Sequence, residues 1–347
     1  MAKILMYRGE FALRKKRFFA LIAAVLFAVS FTGCTDKSQK QDDFKAAGIE
    51  YMKAGNYAEA KTQFERALDN AGYVIGDRER DINYYLACAD YMLGDLDGAL
   101  ERVNALLEFN EKDQDAMFFK ACILLAKGQN EEAVSCYDAA MAIDPGNYDM
   151  GIMAYENLMS YGLTEQASEL LNKAVSYTGE GSVKSSGKGK MLLILDRYDE
   201  AVNAFEEAAL LGNNEALLYE AKAMAEHGDT EGSAAKREKY LSQVKEPSIE
   251  GLSLLAEIAR ISGDYQTALS YVDQALTPLA VESEENTKKL MQNQSAVKSL
   301  RRTEIACLEF TADFNKAYEK AAAYVTAYPA DMAAQRELVF LDSRRDQ

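Results

Sequence analysis

Residues 55–67, GNYAEAKTQFERA, set out a pattern that returns along the chain. In this stretch Gly55 is followed by Ala60, Phe64 and Ala67. Residues 128–140, GQNEEAVSCYDAA, and residues 263–275, GDYQTALSYVDQA, place glycine, alanine, a large side chain and alanine at the same offsets. The glycine is typical of a tight turn between helices, and the small residues allow two helix axes to approach closely. The stretch therefore predicts a pair of packed helices joined by a turn.

A fixed period links these stretches. Ala99, Ala133, Ala167 and Ala201 lie 34 residues apart. The same register continues at Ala60, Ser233, Ala268 and Ala317, with uneven steps of 39, 32, 35 and 49 residues. A period of about 20–50 residues indicates stacked supersecondary units. We expect eight helix–turn–helix units from about Gln41 to the C-terminus, with the uneven steps taken up in loops and helix ends.

The pattern resembles the tetratricopeptide repeat family over about 300 residues. Departures from the family pattern are the absence of Trp, the degenerate sixth unit with Ser233 and Arg237, and the eighth unit, which has Ala312 in place of a turn glycine. The resemblance implies an all-α, right-handed solenoid in which the first helix of each pair lines a concave face. Because terminal repeats need a polar cap, we expect a capping helix from Asp331 to Asp342.

The N-terminus predicts export and a lipid anchor. Arg14-Lys15-Lys16-Arg17 precedes an apolar run from Phe18 to Phe31, which is typical of a secretory signal and short for a membrane span. Thr32-Gly33-Cys34 resembles a bacterial lipobox, and this resemblance implies that Cys34 is lipidated. An ordinary signal peptide or a short anchor helix is the alternative. The predicted divisions are a signal peptide (1–33), a lipidated cysteine with a flexible polar tether (34–42) and the repeat region (43–347).

Charge excludes some partners. The whole chain carries a formal charge of −16, and residues 1–33 hold six basic side chains and one acid, so the remainder carries −21. This balance argues against nucleic acid, whose phosphates need a basic face, and against broad adhesion to anionic lipid. One local basic stretch contains Lys288, Lys289, Lys298, Arg301 and Arg302, and we interpret it as a solvated helix face.

The sequence offers little chemistry for catalysis. The single histidine, His227, falls in a predicted turn. The glycine-rich stretch 179–190 lacks the spacing and the Ser or Thr of a phosphate loop, and it predicts a weak first helix of the fifth unit with a flexible start. Cys88 and Cys122 occupy equivalent first-helix positions. Packed helix axes lie about 8–10 Å apart, beyond ordinary disulfide reach, so free thiols are expected. We expect no enzyme activity, cofactor or metal.

A peptide-binding groove is the remaining candidate site. Two rows at the 34-residue period would lie on first helices, Tyr84, Phe118, Ile152 and Tyr91, Leu125, Met159, and the intervening residues are Cys88 and Cys122. Periodicity alone leaves two interpretations open, an exposed groove or the core between helices. From the fifth unit onward the equivalent positions hold Ser186, Lys190, Lys222 and Glu257, which predicts a polar end.

Together these features predict a non-enzymatic scaffold that binds a protein or peptide segment in a cell-envelope complex. It would be anchored by the N-terminal lipid on the extracytoplasmic side of the cell membrane, or on the outer membrane if the source has two membranes. The alternative is a solute-capture lipoprotein that feeds a membrane transporter. That function would favour a closed, aromatic-rich pocket.

Overall fold

The computed structural model describes residues 37–71, 76–178, 182–281, 283–328 and 331–344. All regular secondary structure in these ranges is helical, and sixteen of the α-helices form eight consecutive pairs. The pairs are α1 (Lys37–Lys53) with α2 (Tyr57–Asp69), α3 (Asp77–Leu93) with α4 (Leu96–Phe109), α5 (Gln114–Ala126) with α6 (Asn130–Ile143), α7 (Tyr148–Ser160) with α8 (Thr164–Val175), α9 (Ser182–Ile194) with α10 (Tyr198–Leu210), α11 (Glu215–Glu226) with α12 (Thr230–Gln243), α13 (Ile249–Ile261) with α14 (Tyr265–Leu276), and α16 (Gln294–Phe310) with α17 (Phe314–Ala327). The predicted all-α repeat fold and the number of pairs are confirmed.

Two additions interrupt this series. A 3₁₀ turn (Pro278–Ala280) and a short helix, α15 (Glu284–Gln292), lie between the seventh and eighth pairs. They account for the 49-residue step in the sequence period. The last helix, α18 (Met332–Asp342), begins after Asp331, whose side chain accepts a hydrogen bond from the Ala334 amide at 3.0 Å. This helix is the capping helix that the sequence predicted.

The chain forms two compact units. Within the described ranges, unit 1 contains residues 37–144 and 153–167, and unit 2 contains residues 145–152 and 168–344. Among the described residues of unit 1, one core cluster is centred on Ala60, Phe64, Ile82 and Leu86. The core of unit 2 includes Leu217, Tyr240 and Leu255 among its buried residues. Each core forms where a second helix packs against its own first helix and against the next one.

The turns within pairs have a common backbone conformation. Glycine occupies the left-handed region in six of the eight turns, for example Gly94 with φ 82° and Gly263 with φ 78°. Asp196 (φ 59°) and Ala312 (φ 61°) occupy the same position in the fifth and eighth pairs. L-residues pay about 1–2 kcal/mol for this conformation. The eighth turn therefore has the same conformation as the glycine turns of this chain, although it lacks the glycine.

Glycines inside two first helices allow aromatic rings to contact the helix backbone. A Cβ atom on Gly48 would lie 2.5 Å from the ring of Phe64, and one on Gly189 would lie 2.5 Å from the ring of Phe205. In both pairs the aromatic follows the glycine by 16 residues. The glycine content that predicted a weak helix at 182–190 thus has a packing role, and the segment is helical.

The polar segment before the repeats differs from the prediction. The expected flexible tether extended through Asp42, whereas α1 begins at Lys37. Gln41 Nε2 donates to Glu79 Oε1 at 2.8 Å, and Arg78 Nε lies 3.2 Å from Asp42 Oδ1, so the first turns of α1 are fixed to α3. The tether prediction is wrong for residues 37–42. The signal segment and Cys34 lie outside the described residues.

The cysteines in the described residues are free thiols, as predicted. Cys88, Cys122 and Cys307 are buried, and Cys136 is half-buried. None of the helices in the described ranges combines the length and apolar composition needed to cross a membrane.

Candidate binding surfaces on the first helices

Four of the predicted groove residues lie in the core of unit 1. The exposed fractions are 2% for Cys88, 2% for Phe118, 5% for Cys122 and 1% for Leu125. Phe118 packs edge-on against the ring of Tyr137, with centroids 5.1 Å apart. Such side chains offer almost no surface to a partner. For these four residues the groove interpretation is wrong, because their positions on α3 and α5 face neighbouring helices.

The other four predicted groove residues reach the surface to different extents. Tyr84, Tyr91 and Ile152 are half-buried, and Met159 is 38% exposed. The ring of Tyr91 packs edge-on against Phe119, with centroids 5.8 Å apart, and burial raises the pKa of Tyr84. Ile152 belongs to unit 2 and the other three to unit 1. The 34-residue rows are therefore divided between core and surface, as amphipathic helices allow.

Unit 2 has polar side chains on its first helices, beginning with three residues from α9, α11 and α13. Lys190 Nζ lies 3.5 Å from Glu250 Oε1 and 4.2 Å from the centroid of the Tyr219 ring. The Tyr219 hydroxyl donates a hydrogen bond to the same Glu250 oxygen. Burial and the Glu250 carboxylate raise the pKa of Tyr219, so the phenol keeps its proton at neutral pH.

A second set of contacts links α11, α13 and α16. Lys222 Nζ lies 2.6 Å from Glu257 Oε2, and the Ser299 hydroxyl donates to Glu257 Oε1. Lys222 also lies 3.9 Å from Glu226 on its own helix. Lys190, Lys222 and Glu257 are partly exposed polar side chains at the positions predicted for the polar end, whereas Ser186 is buried. These linked residues form what we call the polar first-helix surface of unit 2.

A cavity of about 320 Å³ continues this surface between α13 and α16. Its lining residues are Glu257, Arg260, Ser299, Arg302, Thr303 and Ala306. The Arg302 guanidinium forms an ion pair with Glu337 of α18. No aromatic residue lines this cavity in the described part of the chain. It therefore lacks the aromatic lining that we expected of a solute-capture pocket.

Buried ion pairs within repeats were not predicted from the sequence. Glu220 is fully buried, and Lys236 Nζ lies 2.5 Å from its Oε1 atom. The eighth pair repeats this arrangement with Glu304 and Lys320, also 2.5 Å apart. In both pairs the lysine follows the glutamate by 16 residues. The glutamate lies the same distance before the turn residue with positive φ, eight residues, in each pair. That shared spacing is the sequence signal, and it occurs in the two units that seemed degenerate.

His227 has a packing role in unit 2. Its ring stacks on Tyr198 with centroids 3.9 Å apart, and its Nδ1 lies 3.1 Å from the Ala223 carbonyl oxygen. The stacking on Tyr198 holds the turn between α11 and α12 against α10, and the Nδ1 contact closes the end of α11. Within the described ranges, no group of three or more His, Cys, Asp or Glu side chains is arranged to hold a metal ion.

Comparison with known proteins agrees with the repeat architecture. Residues 40–159 match the family described as tetratrico peptide repeat. The matched residues run from α1 to α7, and the later helix pairs have the same helix–turn–helix architecture. No curated protein matches the sequence.

Several solved structures are similar to this chain. A tetratricopeptide repeat protein from Parabacteroides merdae ATCC 43184 is 14% identical, with 76% of this chain and 99% of that chain covered and a TM-score of 0.40. The C-terminal part of a TPR repeat-containing protein from Cytophaga hutchinsonii is 20% identical, with 71% and 98% covered and a TM-score of 0.36. PilW, described as a widely conserved type IV pilus biogenesis factor, is 20% identical, with 62% and 100% covered and a TM-score of 0.35. At these identities and scores the likenesses carry no argument about function.

Proposed function

We propose that this protein is a non-enzymatic scaffold that binds a segment of a partner protein along the first helices of unit 2. The observation that carries the proposal is the polar first-helix surface, which consists of two sets of contacts, one joining α9, α11 and α13 and the other joining α11, α13 and α16. Lys190 and Lys222 are only partly exposed. Their hydrogen-bonding groups are thus held in place before a partner arrives, which lowers the entropic cost of binding.

Charge on this surface favours a protein partner over a nucleic acid. Lys190 is matched by Glu250, and Lys222 is matched by Glu257. A surface of paired charges offers donors and acceptors for a peptide backbone and polar side chains. It lacks the continuous excess of cations that phosphate neutralisation needs.

We further propose that the scaffold is anchored outside the cytoplasm through lipid on Cys34. Support comes from the sequence alone, namely the basic residues, the apolar run and the Gly33-Cys34 ending. Several acyl chains on one cysteine give stable anchoring, whereas one chain gives marginal binding. The helical start of α1 at Lys37 would leave two residues, Thr35 and Asp36, between the lipid and the first repeat.

The binding proposal is tested by site-specific crosslinking. A photoreactive p-benzoylphenylalanine replaces Lys222 on α11, and in a matched control it replaces the exposed Lys239 on α12. Irradiation in intact envelopes should join a discrete partner to the Lys222 form and leave the Lys239 form uncrosslinked. Equal crosslinking at both positions, or none at either, would contradict binding along the first helices.

The anchor proposal is tested separately with Cys34→Ser. Metabolic labelling with a fatty-acid analogue should label the wild-type protein and leave the variant unlabelled, and the variant should leave the membrane fraction on washing. Cys136→Ser serves as the control, because that thiol is half-buried on α6 and its replacement should retain the label. A labelled Cys34→Ser protein would overturn the lipid assignment.

A further inference from the structure

The cavity between α13 and α16 contains one cation that is not balanced. Among its lining residues, Glu257 is paired with Lys222, and Arg302 is paired with Glu337. Arg260 forms no ion pair with any residue in the described ranges. A guanidinium presents five donors in a rigid fork that matches a carboxylate. Arg260 is therefore a cavity donor with no acceptor of its own in the described residues.

Two further cations without ion pairs lie on the same helix as the cavity wall. Lys298 Nζ is 5.6 Å and the Arg301 Cζ atom is 5.9 Å from the centroid of the Tyr328 ring. Arg302 lies 5.5 Å from the neighbouring ring of Tyr324. Asp331 accepts a hydrogen bond from Tyr324 and interacts electrostatically with Lys298, and Glu337 forms an ion pair with Arg302.

The local charge contrasts with that of the whole chain. The protein carries −16, yet Arg260 lines the cavity, Lys298 and Arg301 lie against the Tyr328 ring on the helix that forms one cavity wall, and none of the three forms an ion pair with a described residue. Glu309 is the remaining acid near Arg302, and burial raises the pKa of its carboxyl group. The sequence analysis interpreted these basic residues as a solvated helix face. Their arrangement around two tyrosine rings and a cavity gives them a more specific use.

We infer that this cavity binds a carboxylate side chain from an acidic segment of the partner protein. Arg260 would hold the carboxylate by two parallel hydrogen bonds, and Lys298 and Arg301 would attract the flanking acidic residues. Thr303 lines the cavity while 4% exposed, which places a hydroxyl close to the bound group. This inference rests on the proposed function, because it specifies the chemistry of the segment that the polar first-helix surface receives.

The test uses the full chain and defined peptides. The probe is a fluorescein-labelled hexaglutamate peptide with both ends blocked, and its affinity is measured by fluorescence anisotropy. Arg260→Gln should weaken binding at least about tenfold, since a charge-assisted bidentate pair is lost. Arg237→Gln on α12 removes the same charge and is the matched control, with an expected change of less than about twofold because surface charges act weakly at a distance. Arg260→Lys should fall between them, since it retains charge without the fork.

Two further probes identify which kind of anion the cavity binds. A labelled hexaserine peptide with a free C-terminus offers only a terminal carboxylate, and inorganic phosphate offers a free anion. Preferential, Arg260-dependent binding of hexaserine would overturn the side-chain assignment, and displacement of hexaglutamate by low phosphate concentrations would mean a general anion site. Absence of hexaglutamate binding, or equal weakening by Arg260→Gln and Arg237→Gln, would also reject the inference. In each of these cases the crosslink at position 222 would still report on the proposed function independently.

Discussion

Glu220 and Lys236 form an ion pair across the two helices of the sixth repeat, with Nζ 2.5 Å from Oε1 and the glutamate completely buried. Glu206 of α10 also approaches Lys236 Nζ at 3.0 Å. The lysine thus stands between a buried and an exposed carboxylate. In the first and fifth pairs, a glycine and an aromatic ring fill the neighbouring register. In the sixth repeat those positions hold Ala221 and Arg237, and the ion pair lies one residue earlier on each helix.

Replacing Lys236 by Met should strongly destabilise unit 2. The substitution leaves Glu220 charged and buried without its partner, which costs about 3–5 kcal/mol in typical cases. Urea denaturation followed by circular dichroism measures the change. The double variant Glu220→Met with Lys236→Met is the control, and it should recover most of the loss because no uncompensated charge remains. A single variant as stable as the wild type would show that the pair contributes little.

The same pair predicts a dependence on pH. Burial raises the pKa of Glu220 above its usual value, so the folded state holds the proton more tightly than the unfolded state. The contribution of this group to stability is therefore greatest in acid and falls as pH rises through the folded pKa. The cost of Lys236→Met should be smaller at about pH 5 than at about pH 7. Urea denaturation at both pH values measures it, and a cost that grows on acidification would contradict this reasoning.

Gly189 should not tolerate a side chain. A Cβ atom would lie 2.5 Å from the Phe205 ring, and overpacking of this kind costs about 1–3 kcal/mol, more than the helix propensity gained from alanine. We expect Gly189→Ala to lower the melting temperature. Adding Phe205→Leu to the Gly189→Ala variant should lower the melting temperature less than Phe205→Leu does in the wild-type protein, because the smaller side chain leaves room for the methyl group. Strictly additive effects would argue against the contact.

The thiols should differ in reactivity according to burial. Burial raises the pKa of Cys122 to about 12 and that of Cys307 to about 11, so almost no thiolate is present at neutral pH. Cys136 is half-buried. Iodoacetamide at about pH 8 should therefore alkylate Cys136 well before the other two, since the thiolate is the reactive form. Peptide mass spectrometry measures the extent at each site, with denatured protein as the control. Equal labelling in the native state would contradict the burial.

The sequence was sufficient for the repeats because their signals are local and in phase. Turn residues such as Gly263 and small residues such as Ala133 recur at fixed offsets, so pairs and cap could be placed from spacing alone. Spacing could not predict which first-helix residues reach the surface. Leu125 and Met159 occupy equivalent first-helix positions, yet one is 1% and the other 38% exposed. An amphipathic helix buries more than one face in a stack, and periodicity does not distinguish a face toward a neighbour from a face toward solvent.

The sequence-based prediction missed the helix at residues 37–42 and the buried ion pairs for the same reason. The segment from Lys37 to Asp42 is polar and lacks apolar residues, which indicated disorder. It is helical because Gln41 and Asp42 contact Glu79 and Arg78 of α3, and those contacts are long-range. Glu220 and Lys236 lie on different helices, so their pairing also depends on a contact between helices. A partner on another helix decided the outcome in both cases.

Ala312 and Gly263 occupy equivalent turn positions, so exchanging their residue types tests the backbone strain of this turn. Ala312 adopts φ 61° where the seventh repeat has Gly263 at φ 78°, and a Cβ atom on Gly263 would meet no atom within 4 Å. Only the backbone conformation is therefore at issue. Ala312→Gly should stabilise unit 2 by up to about 1 kcal/mol, since the strain removed exceeds the added entropy of the unfolded chain. Gly263→Ala is the reciprocal variant and should destabilise by about 1 kcal/mol or more. Both are measured by urea denaturation, and a loss of stability in Ala312→Gly would mean that this turn carries no strain.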